Sequence, residues 1–153
     1  MNKKRRYFVD MEGVLKQLKR TSESDDTPNT KLIFCLNTLI ELDEDVNVIS
    51  HYSSEFPDEK RKKIDWLNTY FPRLKNDHIY LFDYSIPKSS FFSLTYNDIL
   101  IDDYDKNLLD WKSKGGTAIK FENEYSDEDS IWHGPIVSTM LDCYALFGNL
   151  YFC

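Results

Sequence analysis

Short runs of β-type residues alternate with helical segments along this chain of 153 residues, and the alternation limits the folds it can adopt. A parallel strand needs a crossover before the next parallel strand can pair with it, and a helix is the usual crossover. The pattern therefore predicts an α/β fold whose parallel sheet is covered by helices on both faces. We expect about five parallel strands, at residues 6–11, 46–49, 78–82, 98–101 and 117–121.

Amphipathic segments supply the crossovers between these strands. Their apolar residues recur at intervals of three and four, which is the period of a helix with one buried face. In the second segment, the charge run of residues 59–63, which ends in Lys63, is interpreted as a solvated face. The predicted helices are residues 31–44, 58–71 and 105–112.

The length fits one domain, residues 1–153, which is large enough to bury a core without disulfides. Between the first strand and the first helix, residues 14–30 leave room only for a short flap. The apolar C-terminal segment, residues 131–153, is expected to pack against the sheet, with residues 132–152 mostly helical.

Charge and cysteine content narrow the classes of partner. The net charge of −7 argues against binding to polymeric nucleic acid, because phosphate backbones attract surplus lysine and arginine. This negative charge still allows a small phosphate ester as the ligand, since a bound cation and one lysine can make a local positive site. The three cysteines have no metal-type spacing and predict reduced thiols in the cytoplasm. No transmembrane run or signal peptide is apparent, so we expect no membrane association.

Polar side chains stand at or beyond the ends of four β-type runs: Asp10, Ser50, Lys88 and the pair Asp102 and Asp103. In an open parallel sheet, the carboxyl ends of the strands border the binding crevice. A carboxylate there can attack phosphorus or ligate Mg²⁺, and the acidic pair would complete the metal site. A lysine would neutralise charge on a transferring phosphoryl group. These residues together predict metal-dependent phosphoryl transfer.

Groups near the ends of the first two strands fit the same chemistry. Ser50 follows a buried strand, so its hydroxyl and the amides of Ser50 and His51 can hold phosphoryl oxygens. Gly13 allows the backbone to turn closely after the first strand.

Each of these residues also has an ordinary structural explanation. Strand-end aspartates commonly cap helices or form turns, and a lone serine or lysine carries little information. Aromatic side chains near the crevice could stack on a nucleotide base, but aromatics also fill cores routinely. The aromatic residues considered are Tyr52, Phe56, Tyr84, Phe91 and Phe92.

The four motifs resemble those of the haloacid dehalogenase superfamily of Mg²⁺-dependent phosphatases. The first motif of that superfamily, Asp-x-Asp-Gly, appears at residues 10–13 with Glu12 in place of its second aspartate. Ser50 stands at the second motif, Lys88 at the third, and residues 102–103 at the fourth. The resemblance implies a Rossmannoid three-layer sandwich with a minimal cap.

A narrower resemblance is to the 5'(3')-deoxyribonucleotidase family, through residues 63–67, 70–72 and 98–108. It implies Asp10 as nucleophile and metal ligand. It further implies that Ser50 and Lys88 bind phosphate and that Asp102 and Asp103 bind or orient Mg²⁺. Apart from the resemblance, His51 is a further candidate for holding the phosphate.

Glu12 departs from the pattern of the family. The corresponding aspartate is the general acid and base, and its backbone carbonyl is a metal ligand, a role that any side chain allows. Glutamate adds one methylene, which displaces the carboxyl group, and acid–base catalysis depends on hydrogen-bond reach. The expected function is a cytoplasmic Mg²⁺-dependent phosphomonoester hydrolase, with a nucleotide as one candidate substrate and a homo-oligomer left open. The alternative is a weak or inactive relative that acts as a binding or interaction protein.

Overall fold

A computed structural model describes residues 4–17, 27–123 and 130–137 of the protein. In this part of the chain, six strands and three helices follow one another, with two short 3-10 turns before and after the third strand. In chain order the elements are β1 (Arg6–Val9), α1 (Thr30–Glu41), β2 (Asp45–Tyr52), α2 (Pro57–Tyr70), β3 (Ile79–Asp83), β4 (Asp98–Asp102), α3 (Asp105–Ser113), β5 (Thr117–Phe121) and β6 (Ile136–Val137).

The six strands form one parallel sheet in the order β3-β2-β1-β4-β5-β6. The predicted α/β fold with a parallel sheet is confirmed. β6 is an addition to the expected five strands, and it pairs with β5 through Lys120 and Phe121. The prediction of a helix over residues 132–152 is therefore wrong at β6. Residues 138–152 of that predicted helix lie outside the described residues.

Helices cover both faces of the sheet. Tyr7 of β1 lies in an apolar cluster with Leu36 of α1 and Leu67 of α2. Phe8, the next residue, lies in a second cluster with Trp111 of α3. Successive side chains of a strand point to opposite faces, so α1 and α2 cover one face and α3 covers the other. The three-layer sandwich is confirmed.

The helices match their predicted ranges closely. α2 and α3 begin and end within one residue of the prediction, whereas α1 ends three residues early. Pro57 occupies the first position of α2, where its missing N–H costs no helical hydrogen bond. None of the described helices combines the length and the apolar character that crossing a bilayer requires.

The N-terminal end of the predicted flap, residues 14–30, is part of the core. Val14 and Leu15 are buried, and the amide of Asn29 donates to the carbonyl of Leu15 at 2.7 Å. Residues 18–26 lie outside the described part of the chain. The segment therefore begins by filling the interior beside β1.

Candidate active site

Asp10 lies at the point of the sheet where the chain connections run in opposite directions on the two sides. The chain runs from β1 through β2 to β3 on one side, and from β4 through β5 to β6 on the other. Such a switch point opens a crevice at the carboxyl ends of the strands. Asp10 directly follows β1, and its amide donates to the carbonyl of Ile101 at 3.0 Å. The Asp10 side chain therefore stands at the centre of the carboxyl edge.

Lys88 joins two of the predicted acidic residues. It opens the 3-10 turn Lys88–Phe91, which follows β3 along the chain. Its Nζ donates to Asp10 Oδ1 at 2.8 Å and to Asp102 Oδ2 at 2.7 Å, and its side chain is 1% exposed. Burial lowers the pKa of the ammonium, but the charges of Asp10 and Asp102 outweigh burial and raise the pKa above its ordinary value. Lys88 is thus a fixed cation within the acidic group.

Asp102 and Asp103 are held by donors from α3 and from the segment after β5. Asp102 accepts the amide of Tyr104 at 3.0 Å and the Asn107 side chain at 3.1 Å. The Asn123 side chain donates to Asp103 Oδ2 at 2.9 Å. Since three donors and Lys88 fix the two carboxylates, their positions are set before any ligand arrives.

Gly13 gives the acidic group room. Its φ of +81° lies in the left-handed region, and a Cβ there would stand 2.2 Å from Asp103 Oδ2. Its carbonyl accepts the Asn123 side chain at 3.0 Å. The predicted close turn after β1 is therefore present. It brings the backbone of Gly13 close to the carboxylate of Asp103.

The three aspartates fit a hard divalent cation. One oxygen from each of Asp10, Asp102 and Asp103 lies within 4.8 Å of the others. Ligands that are about 2.1 Å from one Mg²⁺ lie at most about 4.2 Å apart, so small side-chain adjustments would bring these oxygens to a common ion. Three carboxylates face one ammonium here, which leaves a surplus of negative charge. The donor type, the spacing and the charge therefore all suit Mg²⁺.

The acidic cluster carries an electrostatic cost without such an ion. Burial and then the charge of Asp102 raise the pKa of Asp10 well above its ordinary value. The same two causes, in the same order, raise the pKa of Asp103 to about 6. Neighbouring buried carboxylates repel one another, and a cation between them relieves the repulsion.

Ser50 and His51 come to the same cleft from β2. The Ser50 side chain is buried, and its hydroxyl donates weakly to the carbonyl of His51 at 3.4 Å. His51 Nε2 lies 2.7 Å from the carbonyl of Ile86, and the His51 ring stacks on Tyr84. Burial lowers the pKa of His51, which favours the neutral ring that donates to this carbonyl.

The Glu12 carboxylate lies outside the three-aspartate group. Its Oε1 accepts Lys63 Nζ at 3.1 Å and is 3.6 Å from Lys16 Nζ. The interpretation of Lys63 as part of a solvated face is wrong, because its side chain is 4% exposed. Lys63 also donates to Ser50 Oγ at 3.2 Å. The only sequence signal for the burial of Lys63 was its position on α2, one helical turn before the buried Leu67.

The site residues line one cleft of about 550 Å³, which also has two exposed tyrosines, Tyr84 and Tyr104, on its border. Of the five aromatic residues considered for base stacking, Tyr84 alone is among the described residues that line the cleft. Phe91 stacks instead on Phe82, and Phe92 packs edge-on against Phe8. The cleft includes Asp10, Glu12, Ser50, His51, Lys88, Asp102 and Asp103.

The predicted residues meet in one cleft, and this placement bears on function. Neither models of known protein families nor curated protein sequences give a match to this chain. The geometry brings together a buried carboxylate, a buried ammonium, a hydroxyl and an acidic group suited to a divalent cation. These are the components that phosphoryl transfer requires.

Proposed function

We propose that the protein is a Mg²⁺-dependent phosphomonoester hydrolase of the haloacid dehalogenase type, similar to the 5'(3')-deoxyribonucleotidases. The observation that supports this most is the contact of one buried ammonium, Lys88, with both Asp10 and Asp102 at the switch point of the sheet. Asp103 stands beside them, so the predicted nucleophile, cation and metal ligands share one location.

Asp10 is the nucleophile in this proposal. One of its carboxylate oxygens attacks phosphorus, the bond from phosphorus to the ester oxygen breaks, and an aspartyl-phosphate forms. Lys88 offsets the charge of the transferring group, and the hydroxyl of Ser50 and the amides of Ser50 and His51 hold phosphoryl oxygens. Mg²⁺ bound to Asp10, Asp102 and Asp103 would shield the carboxylate from the anionic substrate.

Glu12 is assigned the proton transfers. As an acid it gives a proton to the departing ester oxygen, which leaves as an alcohol. As a base it then takes a proton from the water that attacks the aspartyl-phosphate, releasing inorganic phosphate and free Asp10. The contacts of Glu12 with Lys63 and Lys16 hold its carboxylate beside the cleft, where Glu12 is a lining residue.

The substrate class follows from the cleft. We assign a small phosphate ester, with a nucleotide as one candidate because Tyr84 offers an exposed ring at the border. The net charge of −7 disfavours polymeric nucleic acid, and we assign the protein to the cytoplasm. A homo-oligomer in which a second copy covers the cleft is compatible with this assignment.

Hydrolysis assays with and without metal test the proposal. Purified protein is incubated with para-nitrophenyl phosphate and with a panel of phosphorylated metabolites, in Mg²⁺ or in excess chelator. Phosphate release that depends on Mg²⁺ is expected for at least the aryl ester, because its leaving group needs little protonation. Equal release in chelator, or none with any ester, contradicts the proposal.

A binding protein that keeps the fold and the metal site is the second candidate. The observation that favours it is the pairing of Glu12 with Lys63 and Lys16, which holds the acid–base group in ionic contacts. Such a protein would bind Mg²⁺ and a phosphate group without turnover.

Replacing Glu12 with aspartate distinguishes the two candidates. The shorter side chain is expected to raise turnover of an alkyl phosphate about a hundredfold, since a misplacement of about 1 Å can cost that much. Steady-state kinetics with Mg²⁺ measures the effect, and Glu12→Gln, which cannot transfer the proton, is the matched control. If Glu12→Asp and the unaltered protein both bind Mg²⁺ but stay inert, the binding protein is favoured.

A further inference from the structure

Lys63 occupies an apolar position of α2. The buried residues of this helix are Lys63 and Leu67, which lie one turn apart on the face toward the sheet. A leucine or methionine would fill such a position, whereas an ammonium there needs partners to offset its desolvation, which costs several kcal/mol. The groups that its Nζ contacts therefore account for a lysine at this buried position.

Within the described part of the chain, the two polar contacts of Lys63 are with residues assigned to phosphoryl transfer. Its Nζ donates to Glu12 Oε1 at 3.1 Å and to Ser50 Oγ at 3.2 Å. Glu12 follows β1, and Ser50 belongs to β2, so the lysine of α2 connects two neighbouring strands at their carboxyl ends. One ammonium thus fixes the proposed acid–base group relative to the proposed phosphate-binding hydroxyl.

Lys63 differs from its two partners in its access to the cleft. Glu12 and Ser50 line the cleft, but Lys63 is not among its lining residues. A ligand in the cleft would therefore meet Glu12 and Ser50 and not the ammonium behind them. Lys88 differs, because it lines the cleft itself.

We infer that Lys63 is a positioning residue, which holds the Glu12 carboxylate in place for proton transfer to the leaving group. This inference rests on the proposed function, in which Glu12 is the acid and base.

Three variants at one helix test the inference. Lys63→Met removes the ammonium but keeps the length of the side chain, Lys63→Arg keeps the charge, and Lys62→Met is the control at the neighbouring exposed lysine. Each is assayed with Mg²⁺ on glycerol phosphate, whose leaving group needs a proton, and on para-nitrophenyl phosphate, whose leaving group does not. Circular dichroism verifies that each variant is folded.

The expected result is a selective loss. Lys63→Met should lower kcat for glycerol phosphate about a hundredfold, with a much smaller loss for the aryl ester and little change in KM. Lys63→Arg should recover part of the activity, and Lys62→Met should match the unaltered protein. In a Glu12→Gln background, Lys63→Met should cause no further selective loss, because the acid it positions is gone.

Other results overturn the inference. Equal losses on the two esters, or a full selective loss in the Glu12→Gln background, would show that Lys63 does not act through Glu12. If no ester is hydrolysed at all, the proposed function fails, and a crystal structure of Lys63→Met then decides the positioning role. Displacement of the Glu12 carboxylate supports that role, and an unchanged Glu12 overturns it.

Discussion

Replacing Asp10 with asparagine is expected to abolish hydrolysis of phosphomonoesters and trapping of a beryllofluoride analogue. The amide keeps the shape of the side chain but removes the charged oxygen that attacks phosphorus. Asp10 is buried directly after β1 and receives a hydrogen bond from Lys88, so its side chain is held in one position at the carboxyl edge of the sheet. The expected loss is at least about a thousandfold, on the order of removing a nucleophile from a covalent mechanism.

The control for this variant is Asp65→Asn, on the exposed side of α2. It makes the same chemical change away from the cleft and should leave turnover unaltered. Steady-state release of phosphate and retention of beryllofluoride after gel filtration are the two measurements. Unchanged turnover in Asp10→Asn would remove Asp10 from the role of nucleophile.

Replacing Lys88 with methionine is expected to reduce both stability and activity. Lys88 is the cation between Asp10 and Asp102, and all three side chains are buried. Removing one partner of a buried ionic group leaves the others uncompensated, which costs about 3–5 kcal/mol of unfolding free energy. Loss of the charge at the phosphoryl group should lower kcat about a hundredfold or more. Urea unfolding without metal and hydrolysis with Mg²⁺ measure the two effects.

A double variant separates charge from packing at this position. In Lys88→Met with Asp102→Asn, one of the repelling carboxylates is also removed, so part of the lost unfolding free energy should return. Lys114→Met, at an exposed lysine, serves as the surface control. An unfolding free energy that is the same in Lys88→Met and the unaltered protein would contradict the ionic arrangement described above.

The parallel sheet and the placement of the acidic residues after its strands could be predicted because buried parallel strands leave a clear pattern. β1, β2 and β4 are largely buried and have apolar residues at their centres, and each ends close to a polar residue that the topology brings to one edge. A strand that is buried on both faces has few other interpretations. The convergence of Asp10, Lys88 and Asp102 followed from that placement.

Two features escaped prediction for physical reasons. β6 has only two residues, so it carries no periodicity and is specified by its pairing with β5. Lys63 lies in a run of charged residues, where a solvated face is the ordinary interpretation. Only the tertiary contacts with Glu12 and Ser50 show that this lysine is buried. Local pattern cannot report such long-range pairings.

Asn123 is another residue that local pattern could not assign. It follows β5 and donates to Gly13, 110 positions away in the chain, and to Asp103, 20 positions away. An asparagine in a polar loop is usually a turn former, so its sequence context gave no signal. Its contacts tie the loop after β5 to the acidic group.

The most direct test of the proposed mechanism is to locate the phosphoryl group on the protein during turnover. The protein is mixed with a radiolabelled phosphomonoester and Mg²⁺, quenched in acid, digested and analysed by mass spectrometry. The account predicts label on the peptide that contains Asp10, released by mild base as expected of an acyl phosphate, and none in the presence of chelator. Label on another residue, or hydrolysis without any labelled protein, would contradict it.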